Sequence, residues 1–306
     1  MGSLIHWSIS LPALYLLGFF RGCPKRIRSW FHTLLGAIMN ARNANIQTGK
    51  CKLCLKEKDL QDSHYLSAGL YRIARKRGGP KVRTPKIILG SDRQIHEYLL
   101  CRDCEQLFSR NGEDYVLRLV KQSDVNFPLL TMLNRHLPIA EGPNNGSAFS
   151  GSELGIDSGK LGYYALSMFW RGAVHTWKTL GGQTTSVHLA PKDQEAIRRF
   201  LLGERGWPPG IVMQVTVCTD LISQDNVLAP VNWDNQACVG CLMVVFGIHF
   251  DLICGVPPES RDWNLCCVNS PARVIFRHTF EDSTRESLKH LRSQAKIATN
   301  LKRKKE

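Results

Sequence analysis

Apolar positions recur at helical spacing through LGYYALSMFWRGAVHTWK, where Leu161, Ala165, Met168, Phe169, Gly172, Ala173, Thr176 and Trp177 fall on one stripe. The pattern predicts a helix over 161–178. A second helix is predicted over 191–202, with Pro191 at its start, Ala196, Ile197, Phe200 and Leu201 on its face, and Gly203 just past its end. A third runs from Cys104 to Gln122, with Leu107, Phe108, Tyr115, Leu119 and Val120 as its apolar positions and Asn111-Gly112 weakening its middle. Beyond these helices the texture changes. IVMQVTVCT (211–219), CLMVVFGIHFDLIC (241–254) and ARVIFRHTF (272–280) are rich in Val, Ile and Phe and read as strands. A Cys-rich module, then helices, then an antiparallel sheet makes an α+β protein.

Residues 141–160 are rich in Gly, Ser and Asn and read as a linker between a module over 39–140 and an α+β part over 161–306. The chain from Asp282 reads as a basic helix ending in Lys302-Arg303-Lys304-Lys305. Residues 3–20 carry no Asp, Glu, Lys or Arg and are followed by Arg21, Lys25, Arg26 and Arg28, so 1–38 form a hydrophobic and basic extension. Three readings stay open for it. It is an overlong start, with translation beginning at Met39, or a membrane anchor holding the main body in the cytoplasm, or a cleaved signal.

Composition narrows the class. At 22% charged and 43% hydrophobic residues the chain is globular, and a net charge of +14 favours polyanionic partners, nucleic acid or an anionic membrane surface. Eleven Cys at irregular spacing do not form a secreted disulfide framework and point to a reducing, cytoplasmic compartment. There is no phosphate-binding Gly-Lys loop, dinucleotide fingerprint or nucleophile elbow.

The sharpest chemical signal is Cys51-Lys-Leu-Cys54 with Cys101-Arg-Asp-Cys104. Each pair presents two sulfurs from one turn, and two turns complete a tetrahedral zinc shell. With four thiolate ligands no coordination position stays open, so the expected Zn²⁺ is structural.

The order of first knuckle, Ser63-His64 ten positions after Cys54, and Leu100-Cys101-x-x-Cys104 opening a helix resembles the treble-clef form of HNH (ββα-metal) endonucleases over residues 49–121. It also resembles uncharacterised bacterial HNH-like zinc proteins. The resemblance implies that His64 is a general base and that a second ion, Mg²⁺ or Mn²⁺, stabilises the developing charge, with Glu105 standing where the family has a metal-binding His. The chain departs from the family twice more: Ser63 replaces the usual Asp, with Asp62 one position early, and His96 replaces the usual Asn.

Between Ser63 and Ser91 there is no acidic residue, and Arg72, Arg75, Lys76, Arg77, Lys81, Arg83 and Lys86 form a candidate phosphate-binding stretch, with Tyr65 and Tyr71 alongside. Three functions follow as expectations: a zinc-dependent nucleic-acid-binding protein with a degenerate HNH-like module, a divalent-metal-dependent endonuclease using His64, and a zinc-organised protein-interaction factor. Cys238-x-x-Cys241 and Cys266-Cys267 read as buried hydrophobes rather than a second zinc site, and Trp170, Arg171, His175 and Trp177 as core with a polar edge.

Overall fold

The computed structural model describes residues 47–77, 82–83, 88–89, 94–142, 146–178, 184–235 and 238–279. The extension over 1–38, the basic tail from Asp282, and Lys81 and Lys86 lie outside them. Among the described residues no helix is long and apolar enough to cross a membrane. The chain divides at Gln47, and the described residues from Thr48 onward belong to one compact unit.

That unit mixes helix with mostly antiparallel sheet. Strands β1 (Gln47–Lys50) and β2 (Glu57–His64) flank the first Cys pair, and β5 (His96–Cys101) runs antiparallel to β2, giving the order β1-β2-β5. Between β2 and β5 lie helix α1 (Ala68–Lys76) and the short strands β3 (Val82–Arg83) and β4 (Ile88–Leu89). Strand β5 runs straight into α2 (Arg102–Phe108).

The helix expected over 104–122 is interrupted. After α2 comes a π-helical turn, Ser109–Glu113, and then α3 (Asp114–Leu119). The wide turn falls on the Asn111-Gly112 pair. A Cβ on Gly112 would sit 2.8 Å from the backbone nitrogen of Tyr164, so glycine lets two backbones touch there.

Tyr164 belongs to α5 (Ser158–Val174), which follows α4 (Pro128–Asn134), β6 (Ala140–Glu141) and β7 (Ser147–Phe149). Every residue of α5 from Leu161 to Gly172 is buried, the mark of a central helix rather than an amphipathic surface one. It stops earlier than its pattern predicts. His175 is extended, the Trp177 indole N–H donates to the Arg171 carbonyl at 2.9 Å, and Trp177–Lys178 form β8, paired with β9 (Thr184–Thr185). Helix α6 (Pro191–Leu201) matches its expected bounds, with Gly203 at φ +76° in the left-handed position that ends a helix.

The three strand-like segments become β10 (Ile211–Cys218), the hairpin β12 (Cys238–Val245) and β13 (Ile248–Cys254), and β14 (Ile275–His278). The stretch 241–254 folds back at Phe246 (φ +43°) and Gly247 (φ +92°), a turn whose twist suits a two-residue hairpin. Helix α7 (Leu221–Gln224) leads into β11 (Val227–Asn235), and the large sheet has the order β4-β3-β11-β12-β13-β10-β14-β7-β6. The pairs β10–β14 and β11–β3 are parallel and the others antiparallel.

This topology corrects the two-part organisation expected over 39–140 and 161–306. The segment 141–160 carries β7, which pairs with β14, and Asp157, whose carboxylate caps α5 by accepting from the Lys160 amide at 3.0 Å. From the other side, β3 and β4 join the large sheet beside β11. One continuous core holds Leu53, Phe108, Phe169 and Phe250 together.

Candidate metal centre and the adjoining histidine face

The Sγ atoms of Cys51, Cys54, Cys101 and Cys104 all lie within 4.8 Å of one another. Thiolates ~2.3 Å from a tetrahedral zinc stand about 3.8 Å apart, and the Cys54 and Cys101 sulfurs are 3.9 Å apart. The four residues therefore fit a metal ion such as Zn²⁺. Local structure accounts for the fit. Leu55 takes a left-handed φ of +59° and its amide donates to the Cys51 carbonyl at 2.9 Å, which closes the first turn. The Cys101 amide donates to Cys51 Sγ at 3.3 Å across the two turns, and the Arg198 guanidinium anchors the first by donating to the Leu53 carbonyl at 2.8 Å.

Proton affinities within the cluster diverge. Hydrogen bonding from Cys104, helped by the Cys101, Cys54 and Leu53 amides, holds Cys51 down at about 4 against the opposing effect of burial. Cys104 is pushed up, first by its hydrogen bond to the Cys51 thiolate and then by burial; burial also raises Cys101. A divalent cation at the centre supplies the positive charge that lets all four ionise together.

The residues expected to form a second metal site separate into different roles. Ser63 is buried; its hydroxyl donates to the Gln61 carbonyl at 3.3 Å and accepts from the Leu100 amide at 3.1 Å, so it belongs to the β2–β5 ladder. Asp62 Oδ1 lies 2.6 Å from Nδ1 of His96. Glu105 is engaged by Arg171, whose Nη2 donates to Oε2 at 3.4 Å. The four cysteines are the only cluster of metal-ligating side chains among the described residues.

Arg171 is the element that sequence reasoning underrated. Its side chain is 1% exposed. From α5 it reaches Glu105, the Glu113 carboxylate at 3.2 Å and the His64 carbonyl at 3.3 Å, and its guanidinium lies 4.7 Å from the centre of the Phe108 ring. Glu113 comes from the π turn. Burial raises its pKa, opposed by the attraction of Arg171. An Arg inside an otherwise apolar helix was the available sequence signal. Glu105 and Glu113 offered none, because acidic residues are ordinary on helices.

His64 ends β2 and is half-buried. Burial lowers its pKa, opposed by a hydrogen bond that the imidazole donates to the Gln94 side-chain oxygen and by the Asp62 and Glu105 carboxylates, so its imidazole is neutral at pH 7.

The basic stretch divides too. Arg72, Arg75 and Lys76 are exposed on α1 and form no ion pair among the described residues. Arg77 is structural: it donates to the Gln224 carbonyl at 2.9 Å, pairs with Asp225, and packs 5.2 Å from the Phe246 ring centre. Arg83 is placed by its backbone, opposite Leu228 of β11. Cys241, Cys266 and Cys267 are buried apart from any metal-ligating cluster.

No protein-family model, curated protein or solved structure matches the chain.

Proposed function

We propose that the protein is a zinc-organised nucleic-acid-binding protein, with a treble-clef module in which the divalent-metal centre of HNH nucleases has degenerated. The observation that carries the binding reading is the outer side of α1. Arg72, Arg75 and Lys76 stand at i, i+3 and i+4, a spacing at which like charges repel, and no carboxylate among the described residues relieves them. A phosphate backbone would. Helix α1 follows directly on β2, so the zinc holds the strand that presents it. The degenerate centre is supported by the engagement of Glu105 with Arg171 and by the burial of Ser63.

The test is equilibrium binding to single-stranded and duplex oligonucleotides across a salt series. The triple substitution Arg72→Glu, Arg75→Glu and Lys76→Glu should weaken binding at least ~10-fold and flatten the salt dependence by about two to three phosphate contacts. Unchanged affinity would refute this surface. Absence of binding to any nucleic acid at low salt would favour a zinc-organised protein-interaction factor instead.

A further inference from the structure

His64 and His96 are register partners at the ends of β2 and β5, and their ring centres stand 5.9 Å apart. The register shifts between Gln61 and Asp62, skipping Leu99 on β5. Bulges of this kind re-aim side chains, and here Leu99 and Leu100 are both buried. Asp62 lies two positions before His64, on the same face of β2.

The two imidazoles are held in different ways. The side chains of His96 and Asp62 are 50% and 49% exposed, and their 2.6 Å contact orients the His96 ring through Nδ1. Nε2, the other ring nitrogen, makes no hydrogen bond among the described residues. His64 is set deeper. Its ring donates to the Gln94 side-chain oxygen, the Tyr71 ring lies 6.4 Å away, and Arg171 donates to its carbonyl oxygen. The charged and titratable groups around it are Asp62, His96, Glu105, Arg171 and Tyr71, and it is neutral at pH 7. Two imidazoles in reach of one phosphate, one oriented by a carboxylate and one kept unprotonated, are the parts of a general acid–base pair.

Building on the nucleic-acid reading above, we propose that His64 and His96 cleave single-stranded RNA by transphosphorylation. His64 removes the proton from a ribose 2′-hydroxyl as the 2′-oxygen forms a bond to the adjacent phosphorus. The bond from phosphorus to the 5′-oxygen of the next nucleotide breaks, and that oxygen takes a proton from protonated His96. One proton is gained by His64 and one lost by His96, no electrons are transferred to or from a redox partner, and the products are a 2′,3′-cyclic phosphate and a free 5′-hydroxyl. Asp62 is a positioning residue acting through His96. DNA has no 2′-hydroxyl and cannot enter the reaction. A single strand suits the step, because a flexible backbone can bring the 2′-oxygen in line with the leaving oxygen.

The experiment uses the full-length, zinc-loaded protein with an end-labelled single-stranded RNA, the same sequence as DNA, and the RNA with 2′-deoxy at its main cut site. Binding and cleavage are measured separately, with and without added Mg²⁺. The expected result is RNA cleavage without added Mg²⁺, cyclic-phosphate ends, no DNA cleavage, protection by the 2′-deoxy group and a bell-shaped pH profile. His64→Gln and His96→Ala should each slow cleavage ~100-fold or more, with RNA affinity within about threefold and unchanged melting. Asp62→Asn should slow it less, lowering kcat with KM within about threefold. RNA bound but left intact would overturn the proposal while the binding function stands, as would equal cleavage by both histidine variants or equal cleavage of DNA. Failure to bind RNA at all would overturn both.

Discussion

Replacing Arg171 with Met removes the one cation between two carboxylates while keeping most of the buried volume. In the wild type the guanidinium touches Glu113 at 3.2 Å, Glu105 at 3.4 Å and the His64 carbonyl at 3.3 Å, with 1% of the side chain exposed. Removing one partner of a buried ion pair typically costs about 3–5 kcal/mol, because the remaining charge is left desolvated. The upper part of that range applies if both carboxylates stay ionised. The loss should depend on pH, and its sign follows from Glu113. Burial raises its folded pKa above the ordinary carboxylate value. A raised carboxylate favours the fold most at low pH, and this contribution disappears as pH rises through the folded pKa. Without Arg171 the pKa rises further, so the variant should lose more stability at pH 7.5 than at pH 5.5, because lowering the pH favours the neutral form of Glu113. Chemical denaturation of zinc-saturated protein at the two pH values measures this. The thermal midpoint at pH 7.5 should fall by about 10 °C. A loss under about 1 kcal/mol at pH 7.5, or the same loss at both pH values, would refute the argument. Glu113→Gln in the Arg171→Met background should restore part of the stability, since it removes a stranded charge.

Metal analysis should find one zinc per chain held by the four cysteines. Cys51→Ser or Cys104→Ser should abolish that occupancy and lower the thermal midpoint, and Co²⁺ substitution should give thiolate charge-transfer absorption in the wild type alone. Gly112→Ala would place a Cβ 2.8 Å from the Tyr164 backbone nitrogen, where neither chain can yield cheaply, and should cost about 1–3 kcal/mol in a denaturant titration. Arg77→Ala should lower stability by about 1–3 kcal/mol, since it leaves the Gln224 carbonyl without its donor and Asp225 with Lys121 as its remaining cation, yet change nucleic-acid affinity far less than Arg72→Ala or Arg75→Ala; the reverse ranking would return Arg77 to the binding surface.

The two Cys-x-x-Cys turns and the helix opened by the second were legible from local sequence alone. A zinc knuckle is a short turn whose ligands are fixed by spacing, so few distant residues are needed to predict it. The same holds for α6, where Pro191 and Gly203 mark the ends, and for β10, where consecutive Val, Ile and Met give a strand buried on both faces. Segments also failed locally, for local reasons. The Asn111-Gly112 break became a π turn rather than a weak point, and Phe246-Gly247 split one long apolar run into a hairpin.

What tertiary structure alone decided is which polar residues meet. Arg171 finds Glu105 and Glu113 across 66 and 58 residues of chain, and Asp62 finds His96 across 34. No periodicity records such encounters, because they depend on how α5 crosses the four-cysteine module and how the bulge at Leu99 sets the β2–β5 register. Arg72 and Arg77 lie five residues apart on one basic run and look alike in sequence. Only packing exposes the first and commits the second to Gln224, Asp225 and Phe246. Spacing determined the four-cysteine cluster that could hold a metal ion, since a turn is a local object; the neighbours of each charge were settled by long-range contact, which spacing does not encode.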